Sequence, residues 1–276
     1  MLDYALALVR RHGHRDVIVN AHHHWQQVAA WASQHDVEIQ VELPDVLGTG
    51  GGIRAALERL ADVVTIVNAD ILASHDLSAL AAAVPAGGAA MILREAPDAA
   101  TIGPVERDAH GHVVRITSVV SSTRGIPGTH FTGIHAMHRD AIARIPEGIS
   151  GVIETAYKEL VPLGAVRAVL EPGATWFDVG TPAAYLAANL AVLRGDIAVP
   201  LDPWTRGTRS GTSWVGDGAV IRGAIASCVI GAGTTVPEGA SLTRCVVLDG
   251  ATVSPGTYDD SILFETSVLE TRRPSS

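Results

Sequence analysis

Short apolar runs alternate with amphipathic segments over the first two thirds of the chain. The run VTIVNAD at residues 64–70 is rich in β-branched residues and ends in an acid, which is typical of a strand buried on both faces. Segments such as residues 2–12 repeat their apolar positions at helical spacing. Strands that alternate with helices in this way predict a doubly wound, mostly parallel, Rossmann-like α/β sheet.

The same patterns place the individual elements of this sheet. Thr181 precedes a proline and an apolar segment, as an N-cap residue does. The residues between 102 and 116 predict a hairpin that turns at 108–111. Further strands are predicted at 16–21, 37–42, 89–94, 131–137 and 166–170, and helices at 23–35, from the glycine-rich segment through 60, and at 77–84, 151–161 and 182–193.

The pattern changes near residue 200. Ile230, Val236, Leu242 and Leu248 recur every six residues with glycines between them. A six-residue period predicts a short left-handed β-helix, and a glycine-rich meander is the alternative. The sequence therefore predicts an α/β domain over residues 1–200 and a hexapeptide-repeat domain over 201–276.

Composition and charge narrow the classes of function. Of 276 residues, 47% are hydrophobic and only 18% charged, as in a folded globular protein. A formal charge of −9 argues against binding to nucleic acid or to an anionic membrane surface. Cys228 and Cys245 give no disulfide framework, and the N-terminus carries neither a signal peptide nor a membrane span, so we expect a cytoplasmic protein.

Two acids and a glycine-rich segment are the candidate chemistry. Asp70 and Asp178 each follow an apolar run, and a pair of carboxylates at strand ends can hold one Mg²⁺. The segment LGTGGG at residues 47–52 predicts a loop whose backbone approaches a ligand closely and opens a helix. The alternatives are structural: Asp70 as a cap, Asp178 in a turn with Gly180, and the glycines as a tight turn.

Five motifs in register carry a resemblance to a known family. They are VNAHH at 19–23, LGTGGG at 47–52, VNAD at 67–70, FTGI at 131–134 and WFDVGTP at 176–182, followed by SCVIGAGTTV at 227–236 in the tail. With these motifs the chain resembles the sugar-1-phosphate nucleotidyltransferases. Within that family it is most similar to mannose-1-phosphate guanylyltransferases and to related muramate- and heptose-phosphate enzymes, many of which carry a hexapeptide β-helix.

The resemblance implies an activity and a role for each matched residue. The reaction would join a nucleoside triphosphate, with GTP favoured over a uracil nucleotide, to a sugar-1-phosphate such as mannose-1-phosphate and would release pyrophosphate. Asp70 and Asp178 would hold the catalytic Mg²⁺. The nucleotide would contact Asn20, Leu47, Gly48, Thr49, Gly50, Gly51 and Asn68, and the sugar phosphate would contact Gly103, Gly133 and Glu154.

The chain departs from the family at two places. The family begins with a strand and a glycine-rich loop that supplies an arginine and a Pro-Lys pair, and this chain begins at the helix that follows them. Its later Glu-Lys-Pro segment corresponds here to residues 116–122, and Lys158 is the only lysine. Three explanations compete: a true start ~25–30 residues earlier, the length of one βα unit; an inactive truncated relative; or a closed-up sheet with a binding role. We favour the first.

Two other functions compete with the enzyme. The absent phosphate loop favours a non-catalytic sensor or partner subunit that binds nucleotide-sugars. The repeats in the tail suggest a hexapeptide acyltransferase, but the tail is short and contains no histidine. We expect the β-helix instead to mediate assembly of a homo-oligomer.

Overall fold

A computed structural model describes residues 1–117 and 124–271, so residues 118–122 of the segment that departs from the family lie outside it. The chain divides into two compact units, and each unit consists of segments that are separated in the sequence. The sheet unit comprises Val9–Asn68 and His75–Ala174. The ladder unit comprises Met1–Leu8, Ala69–Ser74 and Thr175–Ser276, of which the structure describes the residues up to 271. The boundary expected at residue 200 stays a prediction.

Helices form where the sequence repeats its apolar positions at helical spacing. Thr181 caps the longest of them, because its side chain accepts a hydrogen bond from the amide of Ala184. No helix among the described residues combines the length and the hydropathy needed to cross a bilayer. The α-helices are α1 (Leu2–Arg11), α2 (Trp25–His35), α3 (Gly48–Ala55), α4 (Leu77–Ala82), α5 (Ala99–Ile102), α6 (Arg139–Ala143), α7 (Lys158–Leu160) and α8 (Pro182–Arg194), with a 3₁₀ turn at Leu57–Arg59 and a π-helix at Ile153–Tyr157.

The strands of the α/β part lie close to their predicted positions. The hairpin expected over residues 102–116 is present as an antiparallel pair. The strands are β1 (Ile18–Ala21), β2 (Glu38–Val41), β3 (Val63–Val67), β4 (Ile71–Ala73), β5 (Ala89–Glu95), β6 (Pro104–Arg107), β7 (Val113–Ile116), β8 (Ile126–His138), β9 (Val166–Leu170) and β10 (Trp176–Asp178).

The main sheet is mixed, so the expectation of a mostly parallel, doubly wound sheet is wrong in its strand directions. The long strand β8 pairs antiparallel with β3, β5 and β6, and among the described strands of this sheet only β5 and β9 pair in parallel. A second, two-stranded sheet holds β1 and β2 in parallel. Residue patterns reveal where a strand lies, but its direction depends on the neighbour with which it pairs, and β8 reverses the direction in the middle of the sheet.

The strand predicted at residues 64–70 is less buried and shorter than expected. β3 is half-buried rather than buried on both faces, and among the described strands it pairs only with β8. The strand also ends at Val67, three residues before Asp70. The chain leaves the sheet unit after Asn68, and Asp70 directly precedes β4 in the ladder unit. The same apolar run is therefore shared between two units.

The core of the sheet unit lies on one face of β5 and β8. Met91, Met137 and Tyr157 are fully buried there. The helix expected over residues 151–161 covers this face, and it consists of the π-helix and α7 rather than one continuous α-helix. The core thus joins the middle of the sheet directly to the segment that carries Glu154.

The C-terminal strands form three ladders, which the chain visits in turn. One ladder stacks β12, β15, β18 and β20 in parallel, a second stacks β13 and β16, and a third stacks β14, β17 and β19. Antiparallel strands β11 and β21 flank the first ladder. Their bounds are β11 (Gly207–Ser210), β12 (Ser213–Gly216), β13 (Val220–Ile221), β14 (Ala224–Ala226), β15 (Val229–Ile230), β16 (Thr235–Val236), β17 (Ala240–Thr243), β18 (Val246–Val247), β19 (Gly256–Asp259), β20 (Ser261–Phe264) and β21 (Ser267–Glu270).

The repeated apolar residues fill the space between these ladders, with one exception. Ile230, Val236 and Leu242 are buried, as the six-residue period predicts. Leu248 is 38% exposed, and the buried residue of that turn is its neighbour Val247. The period shifts by one residue here because β18 contributes Val247, in register with Ile230, to the interior. Both cysteines are buried among these residues.

Candidate active site

The two candidate metal-binding acids lie side by side in the ladder unit. β10 pairs antiparallel with β4, so that Asp178 is opposite Ile71, and the amide of Val179 donates to the carbonyl of Asp70 at 3.0 Å. Gly180 marks the space between the carboxylates. A Cβ atom there would lie 3.0 Å from Oδ1 of Asp178 and 3.6 Å from Oδ2 of Asp70. Both side chains therefore border one small space.

This pair of carboxylates suits a hard divalent cation. Asp70 and Asp178 are exposed, and neither forms an ion pair with a residue that the structure describes. The described residues contain no group of three or more potential metal ligands. Two carboxylates plus phosphate oxygens and water form the kind of ligand set that Mg²⁺ uses at nucleotide sites.

The glycine-rich segment in the sheet unit is a helix rather than a loop. Residues 48–55 form α3, and the amides of Gly50 and Gly51 both donate to the carbonyl of Ser150, at 2.8 and 3.1 Å. The amides of Gly50 and Gly51 are therefore already hydrogen-bonded within the protein. Among the described groups, no acceptor faces the amides of Gly48 and Thr49, so these two are available.

Close packing explains why four of these positions are glycine. A Cβ atom at Gly48 would lie 2.7 Å from the carbonyl oxygen of Ser150, and one at Gly51 would overlap the carbonyl oxygen of Gly148. At Gly52 it would overlap the side chains of Asn20 and Glu42. The helix is thus pressed against two other segments, and the clashes at Gly48, Gly51 and Gly52 are with backbone atoms or with the hydrogen-bonded side chains of Asn20 and Glu42.

Glu42 is the buried centre of a polar network beneath α3. It is 6% exposed, and its carboxylate accepts from the amide of Leu47 at 2.8 Å and from Nδ2 of Asn20 at 3.1 Å. Gln40, which is also buried, donates to the carbonyl of Gly52 at 2.8 Å and accepts from Arg59. The network fixes Asn20 against α3 at Gly52.

Three of the other predicted residues gather around β8. The amide of Asn68 donates to the carbonyl of Gly133 at 3.1 Å, and the Asn68 side chain covers the position that a Cβ of Gly133 would occupy. His130 lies on β8 three residues before Gly133, and its Nδ1 is 3.1 Å from the carbonyl of Gly103. Gly103 and Gly133 both have positive φ angles, 123° and 79°, which explains glycine at each position.

Glu154 lies on the π-helix, folded back onto its first turn. Its carboxylate occupies the position that a Cβ of Gly151 would need. The amide of Val152 donates to Oγ1 of Thr49 at 3.2 Å, which joins this segment to α3. Glu154, Thr49 and the carbonyl of Ser150 therefore belong to one packed assembly within the sheet unit.

A buried hydrogen bond lies under this assembly. The hydroxyl of Tyr157 is 2.6 Å from Nδ1 of His135, and the two side chains are 0% and 3% exposed. Burial lowers the pKa of His135 to about 4 and raises the pKa of Tyr157, so both are neutral near pH 7. His135 lies within β8, three residues before the strand ends. His138 does end β8, and it caps α6 through a bond from the amide of Asp140.

The structure thus groups the predicted residues into two sets. The sheet unit holds those predicted to bind nucleotide and sugar, and the ladder unit holds the two acids. Sequence reasoning missed Glu42, Gln40 and Ser150. The alternation in VEIQVE at residues 37–42 contained a signal for the first two, because polar residues on a strand beside a glycine-rich segment are candidates for buried partners.

The fold combines an α/β sheet and a glycine-rich helix start with two acids, Asp178 at the end of β10 and Asp70 directly before β4. The model of the family described as "MobA-like NTP transferase domain" matches residues 1–158. The chain belongs to this family. A comparison with curated proteins finds no match.

Two solved structures share the fold. HddC from Yersinia pseudotuberculosis has 19% sequence identity to this chain and a TM-score of 0.54, and the match covers 67% of this chain and 82% of HddC. The same protein complexed with GMP-PN has the same identity and TM-score, and the match covers 68% of this chain and 82% of that one.

Proposed function

We propose that this chain is a sugar-1-phosphate nucleotidyltransferase with GTP and mannose-1-phosphate, or a related hexose or heptose phosphate, as substrates. The observation that carries the proposal is the pair formed by Asp70 and Asp178 around Gly180, in a member of the MobA-like NTP transferase family. The complex of HddC with GMP-PN supports a guanine nucleotide.

In the proposed reaction an oxygen of the sugar phosphate attacks the α-phosphorus of the nucleoside triphosphate in line. The new P–O bond forms as the bond to the leaving pyrophosphate breaks, and no covalent enzyme intermediate is needed. Mg²⁺ bound by Asp70 and Asp178 would offset the negative charge of the phosphates. The protein's own part is to hold the two substrates in this alignment.

The substrate contacts that we propose follow from which groups remain open. The amides of Gly48 and Thr49, with Asn20, Leu47 and Asn68, would contact the nucleotide. Gly50 and Gly51 would shape the pocket through packing rather than through their amides, which Ser150 already uses. Gly103, Gly133 and Glu154 would contact the sugar phosphate, with the Glu154 carboxylate accepting hydrogen bonds from sugar hydroxyls.

Pyrophosphate release from GTP and mannose-1-phosphate, measured with Mg²⁺ and again with excess EDTA, tests the proposal. We expect release that depends on both substrates and stops with EDTA. Absence of release with these substrates and with a panel of other nucleotides and sugar phosphates contradicts the enzyme. Omission of the sugar phosphate is the control for simple hydrolysis of GTP.

One observation favours a second candidate, a non-catalytic protein that binds nucleotide-sugars. Two of the helix-start amides that could hold phosphate are occupied by Ser150, and the chain's only lysine is Lys158 on α7. Calorimetry distinguishes the two candidates. Binding of GDP-mannose without any pyrophosphate release supports the second, and release supports the first.

We also infer that the three C-terminal ladders form a left-handed β-helix and that it joins two or more copies of the chain. β21 is exposed along its whole length and lies at the edge of the longest ladder, where a second copy could add a strand. Light scattering tests the assembly. A monomer mass at every concentration contradicts it, and substitution of Val268 with lysine should lower the mass of an oligomer.

A further inference from the structure

We propose that the hydrogen bond between Tyr157 and His135 is a positioning link that sets Glu154 relative to Gly133, and that it thereby governs the affinity for the sugar phosphate. The inference rests on the proposed function and deepens it. Tyr157 and His135 are positioning residues, since both are buried and neither can touch a substrate directly.

The first end of the link is the middle of the main sheet. His135 pairs with Ile66 of β3 and with Met91 of β5, so its backbone is fixed on both sides. Gly133 lies two residues earlier on β8 and holds Asn68 through its carbonyl. A shift of β8 at His135 would therefore move Gly133 and Asn68 together.

The second end is the π-helix, an unusual element that often occurs at functional sites. The amide of Tyr157 donates to the carbonyl of Val152 at 3.1 Å, five residues back, and Glu154 lies between these two residues. The backbone hydrogen bonds of a π-helix join residues five apart, whereas those of an α-helix join residues four apart. Relaxation to α-helical bonding would rotate the Glu154 side chain away from Gly151.

The hydrogen bond between Tyr157 and His135 joins β8 to the π-helix across a mostly apolar core. Around it lie Phe131, whose ring meets that of His135 edge-on at 5.6 Å between centroids, and the apolar cluster that includes Met91 and Met137. Apolar packing tolerates small sliding, whereas a hydrogen bond between a rigid ring and a phenol fixes a distance. The link therefore determines the spacing of Glu154 and Gly133, which packing alone leaves adjustable.

The test compares two variants that separate position from stability. Tyr157→Phe removes the hydroxyl and leaves Nδ1 of His135 buried without a partner. The double variant Tyr157→Phe with His135→Leu removes both polar groups, which should restore much of the stability. We expect the thermal midpoint to fall in the single variant and to recover in the double variant.

Affinity is expected to behave differently from stability. Calorimetry with mannose-1-phosphate, in the presence of Mg²⁺ and GDP, should show about tenfold weaker binding in both variants, because a displacement well under 1 Å is enough for such a loss. Affinity for GTP with Mg²⁺ should stay within about twofold in both. Recovery of sugar-phosphate affinity in the double variant, or equal losses for the two ligands, would overturn the inference.

Ser213→Ala is the matched control. Ser213 is fully buried in the ladder unit and accepts from the amide of Cys228 at 3.0 Å, so the variant loses one buried hydrogen bond elsewhere. It should lower the thermal midpoint and leave the affinity for mannose-1-phosphate unchanged. A loss of affinity in this control as well would mean that stability alone explains the effect.

Amide hydrogen exchange separates a failure of the inference from a failure of the proposed function. If the wild-type chain binds neither ligand, the proposed function fails, and exchange at residues 150–157 still reports on the link. We expect exchange about tenfold faster at Val152 and Tyr157 in both variants than in the wild type or in Ser213→Ala. Unchanged exchange overturns the inference.

Discussion

The carboxylate pair, Asp70 and Asp178, and the glycine-rich start of α3 differ in how far the protein's own groups already occupy them. Asp70 and Asp178 are exposed and meet no cation among the described residues. The glycines of α3 are packed against residues 148–151, and two of their amides are already bonded to Ser150. One motif is open to a ligand, and the other is largely closed by the protein itself.

The difference shows two separate physical reasons for a residue type at a site: its chemistry toward a ligand, or the packing of the protein itself. Asp178 accepts one hydrogen bond, from the amide of Gly180 at 2.9 Å, which is the turn that the structural alternative predicts. Neither acid forms an ion pair with a described residue, so their charges are available for a cation and its phosphates. The glycines are required by the protein's own packing, and they contribute to a site by letting Ser150 and Glu42 come close to α3. Substitutions should therefore affect activity at the first region and stability at the second.

Asp178→Asn should give the largest effect of all. The variant removes one of the two charges that bind the metal, and activity should fall on the order of 10³-fold, as when one charge-stabilising group is removed from an active site. The thermal midpoint should be unchanged or slightly higher, because two like charges no longer face each other. Pyrophosphate release and a thermal scan on the same sample measure both.

Asp196→Asn is the control for this prediction. Asp196 is exposed in the same unit and pairs with Arg194 at 2.7 Å on the surface, away from the candidate site in sequence. It should retain full activity. A large loss of stability in Asp178→Asn with no loss of activity would reverse our assignment and make the pair structural.

Gly51→Ala should give the largest effect on stability. Its Cβ would overlap the carbonyl oxygen of Gly148, and no side chain can move aside to relieve the clash. We expect a loss of about 3 kcal/mol in the free energy of unfolding, as for overpacking of a tight core. Urea denaturation monitored by fluorescence measures it.

Gly13→Ala is the matched control, because a Cβ there meets nothing within 4 Å and only the positive φ of 84° opposes it. That variant should lose only about 1 kcal/mol, the cost of the left-handed conformation. Equal losses for the two variants would show that contact with Gly148 is not the reason for glycine at position 51.

Glu42→Leu should weaken the protein by about 2 kcal/mol, because the amide of Leu47 and the side chain of Asn20 lose their buried acceptor. Glu42→Gln keeps one acceptor oxygen and should lose less. Denaturation curves of the two variants give the difference. If Glu42→Leu is as stable as the wild type, α3 does not depend on the network beneath it.

Acid should destabilise the sheet unit through the buried His135. Burial lowers the pKa of His135 to about 4 from its ordinary value of 6.5, so the unfolded chain binds a proton more readily than the folded one. Stability is complete above about pH 6.5 and falls with decreasing pH toward pH 4, by up to about 1.4 kcal/mol per pH unit. Thermal scans between pH 7 and 5 measure it. The double variant Tyr157→Phe with His135→Leu should show a flatter dependence, and an equal slope would contradict this assignment.

Particular elements show how much of the fold could be predicted. The strand expected at residues 166–170 and the cap at Thr181 match the structure, because a β-branched run and a Thr-Pro pair act locally. The direction of β8 was not predictable, since it depends on three other strands. The site was predicted as a set of residues, but Ser150 was missed, because its contribution is a backbone carbonyl that any residue could supply.

The sequence by itself determined the apolar periods, the helix and strand positions, the two acids and the glycines, because each follows from residue type and spacing along the chain. Only the tertiary structure decided which of these groups remain available. It brings Asp70 and Asp178 together around Gly180 and leaves them open, and it places Ser150 and Glu42 against α3 and so closes most of that helix start. The reason is physical: a charge or a bare glycine is visible in the sequence, but a hydrogen-bond partner from a distant segment exists only after folding.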